Sequence, residues 1–341
     1  MMSPKENYLA VMTGKMPDFV PRSSFGPRPG DPRTPTNWRF TPPILEKHRE
    51  NPAGGKDIWG VNYVPTYETG NAMLPEPNNF ILKDIRKWRD VIKAPDLSGV
   101  DWPTMIKNQL DKAGIDRSKT LLSLGLHFGY FQLLMSFMGF SEGLVAMYEE
   151  PDEVKDLMNY VCDFYMEIGE KVIDIYKPDV LNLTDDTAAW KASFISADMY
   201  REFLVPNHDR WAKMGRDRGL VLTMHNCGKC EDVVDEFVKM GVTVWDPAQT
   251  SNDILAIKAK YGRKLCIAGA WDPSGRLLEP DTTEEEIRAS VLETMETYAI
   301  GGGFMWAGAF LGPLDDPNTQ RKNNLLGKAI DEIGADFYKT H

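Results

Sequence analysis

Leu220-Val-Leu-Thr-Met-His-Asn-Cys-Gly-Lys-Cys230 decides how this chain is read. Leu220 to Met224 are apolar or β-branched and read as a buried strand. A turn carrying His225, Cys227 and Cys230 follows, and Glu231 to Met240 then reads as a helix ended by Gly241. In extended backbone alternate residues share a face, so His225 and Cys227 point the same way. That spacing offers one imidazole and one thiolate to a single metal ion. Taken alone, the stretch fits a buried histidine beside two reduced structural cysteines equally well.

The same rhythm extends on both sides. Thr120 to Leu126, Val180 to Asp186, Val242 to Asp246, Leu265 to Asp272 and Gly303 to Phe310 read as strands, with helical segments between them. Alternating strands and helices imply a parallel sheet. The strand interiors are apolar and small, as buried parallel strands require. Polar residues recur at the C-terminal ends: His127, Asp185, Asp186, His225, Cys227, Asp246 and Asp272. A (β/α)8 TIM barrel collects its chemistry at that end. A doubly wound sheet would carry a Gly-rich phosphate turn after its first strand, and none is seen; Gly301-Gly302-Gly303 precedes a strand instead. Six or seven strands are counted, so one of eight is missing from the count.

Composition narrows the function. At 341 residues the chain exceeds an ordinary domain but suits a single barrel domain over 1–341. The formal charge of −11 argues against nucleic acid or an anionic membrane as partner. Four cysteines, two of them in one turn, make no disulfide framework and suit a reducing, cytoplasmic setting. No apolar run approaches the ~18 residues of a membrane helix. Self-association as a homodimer is left open.

The first 115 or so residues read as an N-terminal elaboration covering one barrel end, with a first strand near Val20 to Phe25. Ser3 and Glu6 have capping-box spacing. Pro27 to Pro43 is Pro-rich and reads as irregular, Ile58 to Val64 as a hairpin, and Asn71 to Pro77 as a loop.

Several segments resemble the uroporphyrinogen decarboxylase superfamily, in its cobamide-dependent methyltransferase branch. Gly14-Lys-Met-Pro-Asp-Phe-Val-Pro21, Asp57-Ile-Trp-Gly60, Ser196-Ala-Asp-Met-Tyr-Arg-Glu-Phe-Leu-Val-Pro206, His225-Asn-Cys-Gly228 and Ile267-Ala-Gly-Ala-Trp-Asp272 occur in the family's order. Two departures matter. Pro21-Arg-Ser-Ser-Phe-Gly-Pro-Arg28 lacks the Arg-rich segment that would hold a polycarboxylate porphyrinogen. Ala307-Gly-Ala-Phe-Leu-Gly-Pro313 lacks the late cysteine that completes zinc in thiol-methylating members.

The resemblance implies an O-demethylase: methyl passes from a methoxylated aromatic to the cobamide of a separate corrinoid-binding protein. No corrinoid-anchoring Asp-x-His-x-x-Gly motif is visible, so the cobamide arrives on another chain. His225, Asp186, Asp185 and Asp246 are the expected catalytic residues. His127, Tyr130, Trp271, Phe310, Trp306 and Asp272 are the expected substrate contacts. Zn²⁺ is the candidate metal, with His225, Cys227 and Cys230 as ligands. Methyl transfer to a thiol or pterin, or a non-catalytic corrinoid-binding barrel, are the competing readings. The acids preceding prolines also suit turns, and the aromatics also suit packing.

Overall fold

The computed structural model describes residues 2–23, 37–126, 129–313 and 315–341. Ten strands are labelled in chain order. β1 (Asn37–Phe40), β5 (Leu121–Leu124), β6 (Val180–Thr184), β7 (Val221–His225), β8 (Val244–Ala248), β9 (Cys266–Gly269) and β10 (Phe304–Trp306) form one parallel sheet in that order. Arg22 adds an eighth strand position through a parallel bridge to Trp306. Its neighbours make the ladder bonds, Ser23 N to Trp306 O at 2.7 Å and Trp306 N to Pro21 O at 2.8 Å. Helices separate the later strands, the longest being Pro151–Tyr176, and the sheet curls into a (β/α)8 barrel. β2 (Gly55–Lys56), β3 (Asn62–Thr66) and β4 (Ala72–Pro75) form a separate antiparallel sheet.

The strand missing from the sequence count is β1, inside the segment expected to be irregular. Asn-Trp-Arg-Phe has no run of aliphatic residues, because its inward positions are polar: Asn37 accepts from Ser123, and Arg39 reaches Thr184. The expected loop at Asn71 to Pro77 contains β4, and the expected hairpin is present, with β2 and β3 antiparallel on either side of a turn that includes Ile58. Asp57 closes that turn by accepting from Trp59 N and Val61 N, both at 2.9 Å.

The barrel interior is layered. Leu121, Val180, Val244, Cys266 and Met305 form an apolar floor, closed from outside by Tyr8, Val11 and Met12. Those three lie on the helix Pro4–Met12, whose Ser3–Glu6 capping box is formed. Above the floor Asn182 donates to Thr223 at 2.6 Å. One register row higher, Thr184, His225 and Asp246 lie side by side on β6, β7 and β8. Polar chemistry is thus confined to the C-terminal mouth. The larger apolar cluster fills the space between the sheet and the outer helices, around Trp211, Trp245 and Phe237. Among the described residues no helix is long and apolar enough to cross a membrane.

Candidate active site

Strand β7 ends at His225, and the chain then turns through Asn226 to Gly228. His225 Nε2 and Cys227 Sγ lie 3.5 Å apart, as the shared-face argument requires. Asp186, just past β6, completes a cluster: its Oδ1 is 3.8 Å from His225 Nε2. One ligand atom from each of the three lies within 4.8 Å of the others. A tetrahedral zinc with Zn–N near 2.0 Å and Zn–S near 2.3 Å holds its nitrogen and sulfur about 3.6 Å apart and its nitrogen and oxygen about 3.4 Å apart. The three side chains therefore fit Zn²⁺ and leave one position open. On its other side His225 Nδ1 faces Asp246 Oδ1 at 3.7 Å, the place of the carboxylate that orients a metal-bound imidazole.

Several groups hold this arrangement. Cys227 N donates to Asp186 Oδ1 at 2.9 Å. Gly228 N donates to Gln249 Oε1 at 2.7 Å, and Gln249 Nε2 donates to Asp272 at 3.2 Å. Asn226 is fully buried and ties the turn to Thr187. Burial opposes the imidazolium of His225, but Asp246 and Cys227 outweigh it, and the His225 pKa stands well above its ordinary value. Burial pushes the Cys227 thiol up, with His225 opposing. The cluster thus retains protons that a bound metal would displace.

Gly228 is the strictest position in the turn. Its φ is +84°, and a Cβ there would sit 2.5 Å from Ala188 O. Gly228→Ala is expected to destabilise by at least about 1–3 kcal/mol through backbone strain alone and to lower bound zinc. Thermal melting and metal content would show it; an unchanged melting temperature would contradict this view of the turn.

A cavity of about 840 Å³ opens above His225 and Asp246. Trp190, Pro247, Trp271 and Leu278 are among its walls. Trp190 is exposed at the rim; Trp306 also lines the cavity, though buried, and packs against Trp271 with ring centroids 5.5 Å apart. Phe310 stands behind, edge-on to Trp271 at 5.2 Å.

The other expected residues divide. Cys230 is fully buried and donates to Asn226 O, away from the cluster, and burial pushes its pKa far up. Asp185 is also fully buried, accepting from Phe131 N, Gln132 N and His208. It points from β6 toward the helix Tyr130–Met138 rather than into the mouth. Tyr130 is buried and donates to Asn207 O at 3.3 Å, so it does not line the cavity. Asp272 lines the cavity, but its carboxylate already accepts from Thr250 and Gln249. His127 lies outside the described residues. Gln249 and Arg39 were not anticipated. Nothing in the one-dimensional pattern separates Gln249 from a loop residue, whereas Arg39 becomes visible once β1 is recognised.

Eight parallel strand positions with a ligand-sized, metal-competent mouth at their C-terminal ends define a (β/α)8 barrel with a site where such barrels carry theirs. Residues 100–308 match the family described as uroporphyrinogen decarboxylase (URO-D), and the chain belongs to that family. Among solved structures, a methyltransferase from Methanosarcina mazei superposes with a TM-score of 0.61 at 15% identity, covering 99% of this chain and 100% of that one. At that identity the likeness is one of fold. No curated protein matches the chain.

Proposed function

We propose that the protein is a methyltransferase that demethylates methoxylated aromatic compounds and passes the methyl group to the cob(I)amide of a separate corrinoid protein. The observation that carries this reading is the Asp186–His225–Cys227 cluster at the base of a tryptophan-walled cavity. Aryl ethers are inert because the oxygen leaves poorly as an anion; it must be protonated or held by a Lewis acid. Zinc bound at the cluster would supply that Lewis acid, and the docked cobamide the nucleophile for the methyl carbon.

The chain's own residues hold and exclude. Asp246 faces His225 Nδ1 from behind at 3.7 Å, where its charge favours the imidazolium, and Asp186 fixes the Cys227 backbone. Trp190 and Trp271 offer flat apolar surface to an aromatic ring. Asp186 supplies a third donor where thiol-methylating relatives use a late cysteine, while Ala307 and Ala309 line the cavity at that point. A harder oxygen donor suits an oxygen leaving group better than a thiol substrate.

The test mixes the protein with a corrinoid protein or cob(I)alamin and a panel of methoxybenzenes, following methylcobalamin optically. Methyl transfer from at least one aryl ether is expected. Activity only with methylcobalamin and a thiol would overturn the proposal.

A further inference from the structure

Asn252 is a buried polar residue with no place in the metal cluster itself. It lies in the loop between β8 and the helix Ile254–Tyr261. Its carboxamide makes four hydrogen bonds of 2.9 Å each: Oδ1 accepts from Cys230 N and Glu231 N, and Nδ2 donates to Gly228 O and Gln249 O. Two donor hydrogens and two lone pairs are all that such an amide has, so its capacity is fully used. Three of those partners belong to the turn that follows His225. The rest of that turn is held as well. Gly228 N is on Gln249, Lys229 N donates to Ala189 O and Ser193 Oγ donates to Lys229 O, both at 2.9 Å. Cys230 O accepts from Val233 N at 3.0 Å. Every backbone N–H and C=O from Gly228 to Cys230 is therefore paired.

This bonding decides which cysteine meets the metal. A Cys-x-x-Cys pair commonly chelates one zinc through both sulfurs, and Cys227 and Cys230 have that spacing. Only Cys227 joins Asp186 and His225 here. Cys230 is fully buried, with its sulfur 3.6 Å from Asn226 O. To bring Cys230 to the cluster, the peptides from Gly228 to Glu231 must rotate, which breaks their bonds to Asn252. Each buried polar group left unpaired costs about 1–3 kcal/mol, so the turn resists. Asp186, His225 and Cys227 take three positions on a tetrahedral zinc. A second thiolate would fill the fourth and make the site a closed, structural one, whereas catalytic zinc keeps that position for water or substrate.

We propose that Asn252 is a positioning residue that holds Cys230 off the metal and so keeps one position of the cluster open for the substrate oxygen. The substrate oxygen rests on the ether-demethylation reading; the open position rests on the turn alone.

Zinc-edge X-ray absorption of the zinc-loaded protein, which counts sulfur ligands, tests this. The unmodified protein should show a single sulfur. Asn252→Ala should show a second one, release zinc to a chelator more slowly, and lose methyl transfer by about tenfold or more as the metal's contact with the leaving oxygen is blocked. Adding Cys230→Ser to Asn252→Ala should return the count to a single sulfur and restore part of the transfer, a rescue that mere loosening of the turn cannot give. Asn252→Asp keeps the acceptor for Cys230 N and Glu231 N but loses both donors. It should shift the same way, and it serves where the alanine variant does not fold. A second sulfur in the unmodified protein would overturn the proposal. So would a single sulfur in both folded Asn252 variants, which would leave the demethylation reading untouched. If the sulfur counts come out as expected but no aryl ether yields methylcobalamin, the positioning role stands and the demethylation reading falls. An unmodified protein that binds no zinc would end both.

Discussion

Replacing His225 with alanine is expected to remove most of the bound zinc and to lower methyl transfer by about 10²–10³-fold or more, the scale on which losing one preorganised electrostatic group acts. His225 touches every other member of the cluster: Cys227 at 3.5 Å, Asp186 at 3.8 Å and, through its second nitrogen, Asp246 at 3.7 Å. Without it only Cys227 and Asp186 remain as donors, too few for a catalytic zinc site. Two companion variants sharpen the result. Asp246→Asn keeps the three donors and removes only the charge behind the imidazole, so zinc affinity should fall about 10–100-fold. Cys230→Ser should leave zinc content unchanged, because its sulfur is buried against Asn226 O. Zinc content of the purified variants by atomic emission, beside the optical methyl-transfer assay, checks all three. Equal zinc in wild type and His225→Ala would exclude the cluster as a metal site, and zinc loss in Cys230→Ser would return that thiol to the ligand set.

How much of this was legible in the chain varied with the physical signal. The later strands announce themselves because each is apolar, flanked by helix and tipped with a polar residue; His225 and Cys227 follow from two-residue periodicity alone. β1 does not, because Asn37 and Arg39 point inward and replace the aliphatic pattern by which a buried strand is recognised. Cys230 illustrates another limit. It sits three residues past Cys227, but the positive φ of Gly228 turns the chain between them, and spacing in sequence ceases to predict direction. The aromatics divided likewise: Trp271 lines the cavity while Tyr130 is buried beside His208, a distinction of tertiary packing that residue type cannot carry.

The adjacent acids Asp185 and Asp186 give the second large expected effect, since neighbours on one strand end face opposite ways. Asp185 accepts two backbone amides at the N-terminus of the helix Tyr130–Met138, at 3.1 and 3.2 Å, and meets His208 Nε2 at 3.1 Å. The N-cap of that helix, Gly129, has no capping side chain of its own, so the carboxylate of a neighbouring strand satisfies amides of its first turn and its dipole. No water can replace it easily, because Asp185 is fully buried and His208 nearly so. Asp185→Ala should therefore destabilise by about 3–5 kcal/mol, as loss of one partner from a buried charged network does. In a chain of this size that appears as a fall in Tm of roughly 4–7 °C. Asp186 is only half-buried, with its side chain 32% exposed, and bonds chiefly to Cys227 N and Gln132. Asp186→Ala should shift Tm by less than about 1–2 °C while lowering zinc content and methyl transfer. A thermal scan and a metal assay on both variants separate the two roles. If Asp185→Ala melted like the wild type, or Asp186→Ala retained full zinc, the assignment of one acid to the scaffold and the other to the cluster would fail.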